Sequence, residues 1–182
     1  GYSASIGGAG QLMQEGFDSL YMALGLAVVL VYIVMAALFE SLLHPLVIIF
    51  TLPLAAVGAV MALHVSGYAL GITALIGIIL LVGIVVNNAI VMVDAINQLR
   101  AQGMPVKEAI ITGASQRLRP ILMTAFTTII AMLPLAIGIG EGAELQAPLA
   151  AAVLGGLLSS TLLTLLVIPA IYYLLAGKAP SA

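Results

Sequence analysis

The chain has no cysteine and no tryptophan, and its 182 residues include only 5 Lys+Arg and 7 Asp+Glu. Without cysteine there is no disulfide and no thiolate metal site. A charged share of 7% against 63% hydrophobic residues excludes an ordinary soluble domain, which carries about a quarter charged residues. With a mean hydropathy of +1.28, the solvent for most of this chain is lipid. The scarcity of polar side chains also removes most chemistry. There is no Ser/His/Asp or Cys/His grouping, His44 and His64 fall on opposite membrane faces, and no carboxylate pair lies within one span. Neither an enzyme nor a metal or cofactor site is expected, and no nucleic-acid partner. The GIGEG string at 138–142 reads as a glycine-rich external turn, and it lacks the preceding strand and following Lys of a phosphate loop.

What is present is a set of long apolar runs. A span needs roughly 20 mostly apolar residues, and five candidates occur at 17–39, 45–66, 70–96, 120–138 and 147–175. None alternates apolar with polar residues as barrel strands do, so all are expected to be helices. The fold class is an all-α integral membrane protein with five spans over 15–177. Val106, Ala109, Ile110 and Ala114 recur at helical spacing between Lys107, Glu108 and Gln116, which predicts a short amphipathic helix at 105–116 on the cytoplasmic surface. Arg100, Lys107, Arg117 and Arg119 lie between the third and fourth spans and Lys178 follows the fifth, whereas Glu15, Asp18, Glu141 and Glu144 fall on the other side. The positive-inside rule makes the basic face cytoplasmic, with 178–182 a cytoplasmic tail and the N-terminus outside. The chain opens Gly-Tyr-Ser with no signal peptide. Residues 1–14 are therefore expected to be the end of an external domain and its linker, with a strand and turn at Gly1–Gly8. A disordered tail on a small independent protein is the alternative.

Polar and small residues inside the spans are the candidate functional and packing groups. Asn87 and Asn88 stand side by side within 70–96, and an amide at that depth needs a partner or a wet path. Gly83, Asn87 and Asp94, spaced by four and seven, share one helix face, with Asn88 turned away by about 100°. Thr124, Thr127 and Thr128 form a second polar stripe, with Arg117 and Arg119 at its cytoplasmic mouth. Facing one another, these groups make a hydrogen-bonding line of the kind a proton path needs. The competing reading is that each threonine bonds its own helix and the asparagines only glue helices together. Ala55, Gly58, Ala59 and Ala62 in the second span, and Gly155, Gly156, Ser159, Ser160 and Thr164 in the fifth, are spaced for close helix packing, and Gly83 in the third is a further packing candidate. Pro53 is expected to kink the second helix.

The strings LVGIVVNNAIVMVDAINQLRAQG, EAI, RLRPILMTAFTTI and LPLAIGIGEGAELQAPLA, with FESLLHPLVIIFTLPLA earlier, resemble the C-terminal membrane half of resistance-nodulation-division (RND) efflux transporters, of the hydrophobe/amphiphile branch. The resemblance covers essentially the whole chain. It implies spans eight to twelve of a twelve-span bacterial inner-membrane protomer that works as a homotrimer with its own N-terminal half. A periplasmic adaptor and an outer-membrane channel are further implied partners. It also implies proton antiport as the energy source, with no cofactor other than the coupling proton. Asn87 and Asn88 then face an acidic pair carried by the other half, and Thr124, Arg117 and Asp94 join the relay. Many relatives carry Lys where Asn87 stands, so a hydrogen-bonding or water-mediated partner is implied here in place of a cation. Two other readings remain open: a non-transporting helper module, and a superfamily relative with a different cargo, such as a lipid exporter or a protein-translocation accessory.

Overall fold

The computed structural model describes residues 7–41 and 43–176. Six helices follow one another: α1 (Gly7–Phe39), α2 (Leu43–Ile49), α3 (Thr51–Val65), α4 (Ile72–Ala101), α5 (Val106–Ala136) and α6 (Ala143–Ala176), with no strand among the described residues. In lipid every backbone N–H and C=O must be paired within its own segment, and uninterrupted apolar runs with no alternation satisfy that only as helices. α1, α4, α5 and α6 are each long and apolar enough to cross a membrane, and α3 is a shorter apolar helix.

α4 and α6 form the centre, and roughly half of the most apolar stretch of each is buried. α3 and α5 pack on α6, while α1 and α2 lean on α4. α1 sits at the outside. Phe17, Leu20, Leu24, Val28 and Val31 turn inward, whereas Met22, Leu26, Leu30, Val34 and Leu38, four residues apart, are exposed. An exposed stripe that is wholly apolar is the surface a lipid-facing helix presents.

Three boundaries differ from the sequence expectation. The expected external strand, turn and linker at 1–14 is helical from Gly7 onward, and residues 1–6 lie outside the described part. Gln11, Leu12, Met13, Gln14 and Glu15 are good helix formers with no proline among them, so the helix of the first span propagates backward through them.

The second span is divided. α2 ends at Ile49 and α3 starts at Thr51, with Phe50 still near helical geometry (φ −61°, ψ −19°). Pro53 has no N–H for the Ile49 carbonyl and its ring crowds that turn, so the chain restarts with Pro53 in the first turn of α3, where proline is tolerated. Thr51 Oγ1 donates to the Ile48 carbonyl at 2.6 Å and closes the break. At 1.5 Å per residue the 15 residues of α3 reach only about 22 Å, short of a bilayer core of about 30 Å, so the expected second span is not met by α3 alone.

The third difference is at 105–116. No separate surface helix forms, because those residues are the first third of α5, which runs on through Pro120 as one helix. Gln116, whose carbonyl Pro120 leaves unbonded, is exposed, as is Pro120 itself. Water or headgroups at that level can take the bond, and the helix does not break. Gly113 holds this first part against α4, since a Cβ there would lie 2.9 Å from Ile96 Cγ1. The glycine-rich turn before α6 forms as expected, with Gly138, Gly140 and Gly142 all at positive φ (79°, 116° and 77°).

Candidate functional site

α4 carries the polar groups, and its surroundings decide what each can do. Gly77, Leu81 and Asn88 lie on one stripe. A Cβ on Gly77 would meet the Leu149 carbonyl oxygen at 2.7 Å, and one on Gly156 would meet Leu81 Cδ2 at 2.0 Å. That stripe is therefore pressed against α6, and Asn88 is buried, at 8% exposure. Val86 and Ile90 look toward α1, where they line an apolar groove with Leu30, Val31, Val34 and Met35.

The remaining side of α4 is covered by no other described helix. Ile76, Leu80, Gly83, Asn87 and Gln98 are exposed along it and Asp94 is half-buried. The expected common face of Gly83, Asn87 and Asp94 thus points away from the other described helices. Nothing lies within 4 Å of the place a Gly83 Cβ would take, so Gly83 packs against no described element of this chain. Near the basic end of the stripe, Gln98 Nε2 donates to Asp94 Oδ2 at 2.8 Å.

The threonine stripe of α5 satisfies itself. Thr124 Oγ1 donates to the Ile121 carbonyl at 2.9 Å, Thr127 to that of Met123 at 2.8 Å and Thr128 to that of Thr124 at 2.9 Å. Thr124 and Thr127 are exposed and Arg117 is half-buried. The proposed line from the asparagines through Thr124 to Arg117 is therefore not enclosed by this chain. Asn87, Thr124 and Arg117 instead stand on surfaces that this chain leaves at least partly open.

The small-residue expectation is carried by α3 against α6. Cβ atoms at Gly58 and Gly155 would lie 2.3 Å from Ser159 Cβ and 2.1 Å from Ala62 Cβ, and Ser159 Oγ donates across the interface to the Leu54 carbonyl at 3.1 Å. Gly156 serves the α4 side and Ser160 is buried within α6.

One cluster, around Tyr172, is not among the candidates drawn from the sequence. Tyr172 is buried, its hydroxyl donates to Asn97 Oδ1 at 2.5 Å, and Arg100 Nη1 donates to that hydroxyl at 3.5 Å. It ties the basic ends of α4 and α6 together. A tyrosine inside an apolar helix whose hydroxyl must find a partner, with Asn97 and Arg100 at the end of a neighbouring span, was the available signal.

Four spanning-length helices, a buried α4–α6 pair and an outward stripe bearing Asn87, Asp94 and Gln98 are the features a comparison has to match. Residues 1–176 match the AcrB/AcrD/AcrF family. The chain belongs to this family of RND transporters. It is 43% identical over 175 residues to the swarming motility protein SwrC of Bacillus subtilis, which covers 96% of this chain and 17% of that protein. It is 40% identical over 178 residues to the cobalt-zinc-cadmium resistance protein CzcA of Cupriavidus metallidurans, 98% of this chain and 17% of the relative. With the multidrug resistance protein MdtC of Proteus mirabilis it shares 45% over 171 residues, 93% and 17% respectively. The crystal structure of a heavy metal efflux pump superposes with a TM-score of 0.83 at 35% identity, over 92% of this chain and 16% of the pump. The chain thus spans about one sixth of these relatives. The expected hydrophobe/amphiphile branch is not singled out, since metal-resistance and multidrug-resistance proteins match comparably. The chain carries the apolar, spanning-length helices of a multi-pass membrane region of this family.

Proposed function

We propose that this chain is the C-terminal membrane half of a proton-driven RND exporter, and that the open stripe of α4 is where it meets the proton-carrying half of the same transporter. The observation that carries this reading is the exposed Asn87 midway along a 30-residue apolar helix. A carboxamide facing lipid there would lose its hydrogen bonds, so a polar partner from another part of the transporter covers it. Asn does not titrate, so the coupling carboxylates belong to that partner. Asn87 supplies them with a hydrogen-bonding neighbour where many relatives supply a cation. Thr124, Arg117 and Asp94 continue the path toward the basic end, which the positive-inside rule places in the cytoplasm. The working unit is a homotrimer in the bacterial inner membrane, joined by an adaptor and an outer-membrane channel where the host has an outer membrane.

The cargo is an amphiphilic drug-like compound. Export of a divalent metal ion is the second reading, favoured by the likeness to CzcA and to the heavy metal pump. Cells producing the whole transporter at matched levels distinguish the two by growth in cationic dyes and detergents against growth in zinc, cobalt or cadmium salts. Coupling is tested by Asn87→Leu, which keeps the volume and removes the amide. It is expected to abolish substrate-driven proton movement in proteoliposomes while the trimer still assembles, and proton movement at the wild-type rate would defeat the reading.

A further inference from the structure

Lipid offers no hydrogen-bond partner, so polar side chains buried between membrane helices bond their own backbone or one another. Thr51 does so in α3, and in α6 the Ser160 and Thr161 hydroxyls both donate to the Leu157 carbonyl, at 3.1 and 2.6 Å. Asn88 and Thr164 do not. They are 8% and 1% exposed, and among the described residues neither side chain makes a hydrogen bond.

The two lie on one seam. α4 and α6 run parallel, with Gly77 against Ala152, Leu81 against Gly156 and Asn97 bonded to Tyr172. Each pair differs by 75 in number (152 − 77, 156 − 81, 172 − 97), and the same offset sets Asn88 level with Leu163, one residue from Thr164. Asn88 follows Gly77 by eleven residues and Leu81 by seven, on the stripe that faces α6. Thr164 lies eight residues from both Gly156 and Tyr172, between two positions that meet α4. Above this level the backbones are too close to admit a Cβ at Gly77, and below it Tyr172 closes the seam.

We propose that the α4–α6 seam binds one ordered water molecule between the Asn88 carboxamide and the Thr164 hydroxyl. The carboxamide has two donors and an acceptor and the hydroxyl has one donor and acceptor lone pairs, so a water that both donates and accepts satisfies either group. A hard cation is a poor match, because only two side-chain oxygens converge where such ions take six or more. Buried waters typically hold about three hydrogen bonds to groups otherwise unpaired, and the backbone of either helix can complete that set. The site belongs to this chain alone and stands whether or not the transporter is proton-driven.

A map of the whole transporter at a resolution that shows ordered water is expected to contain a peak within hydrogen-bonding distance of both side chains. Asn88→Leu and Thr164→Val each leave one group unpaired, so each is expected to lower the thermal midpoint of the purified transporter. The double variant, dry and apolar, is expected to be no less stable than the weaker single one. Thr164→Ser keeps the hydroxyl and should keep the peak, which preserves the test where the other variants fail to assemble. A direct Asn88–Thr164 hydrogen bond with no peak, or strictly additive losses in the double variant, would overturn the proposal.

Discussion

Asn87 and Asn88 are one position and about 100° apart on α4, and that rotation separates an exposed carboxamide from a buried one. The same geometry governs the threonines. Thr124 bonds the Ile121 carbonyl and is exposed, so within this chain it is already satisfied. If that were its whole role, Thr124→Val would keep the shape and cost little, while Thr124→Ser would lose a methyl group. A relay member behaves oppositely. In the proposed transporter Thr124→Val is expected to reduce resistance to that of cells lacking the pump, with Thr124→Ser largely active and Arg117→Ala resembling Val. Minimum inhibitory concentrations at matched protein levels decide this, and wild-type resistance from Thr124→Val would leave Thr124 a self-satisfied helix residue. The glycines make a second contrast. At Gly155 a Cβ would meet the Gly58 carbonyl oxygen at 2.6 Å as well as Ala62, so α3 and α6 must part. Overpacking of this kind costs about 1–3 kcal/mol, and Gly155→Ala is expected to lower the melting temperature measurably. Gly83→Ala meets nothing within 4 Å in this chain and is expected to be neutral, or to gain up to about 1 kcal/mol from helix propensity, unless a partner backbone closes on that stripe. Thermal unfolding of the two purified variants separates these cases.

At the level of whole helices, the order and number of apolar segments were readable because period and length are written in the composition of each run. Their ends were less so. Proline marks a missing donor, but whether the helix stops depends on where the orphaned carbonyl points: Pro53 falls where a new first turn can begin, while Pro120 falls on an exposed face and is absorbed. The backward extension of α1 into 7–14 was hidden by Gly7, Gly8 and Gly10, which suit a turn or linker better than a helix. For the site, spacing correctly placed Gly83, Asn87 and Asp94 on one face. It could not reveal that no neighbour covers that face, nor that Tyr172 reaches Asn97 across 75 residues of sequence. This last bond can be weighed directly. Tyr172→Phe keeps the ring in its buried site and removes the hydroxyl between Asn97 and Arg100. Leaving such a group unpaired costs about 1–3 kcal/mol. A lower melting temperature with unchanged trimer formation is expected for Tyr172→Phe, and an unchanged one would mean that packing alone holds the basic ends of α4 and α6 together.

Across the whole molecule, charge is segregated along the helix axes, and this sets a testable orientation. Arg100, Lys107, Arg117 and Arg119 gather where α4 ends and α5 begins, while Glu141 and Glu144 flank the glycine turn before α6. Because α4 and α5 are spanning-length helices joined by a short turn, Gln102 and Glu141 flank opposite ends of α5 and are expected on opposite sides of the membrane. Both residues are exposed, and neither has the positive φ that would strain a cysteine at Gly140. The chain has no cysteine of its own, so in a transporter otherwise stripped of cysteines each site can be labelled alone. An impermeant thiol reagent applied to intact cells, with the outer membrane permeabilised where there is one, is expected to label Glu141→Cys and to spare Gln102→Cys until the inner membrane is opened. The direction of the proposed relay depends on this result, since Arg117 and Asp94 would serve as its cytoplasmic exit only if the basic end faces the cytoplasm. Labelling of Gln102→Cys in intact cells would reverse the chain in the membrane and turn the same residues into the entry side of the path.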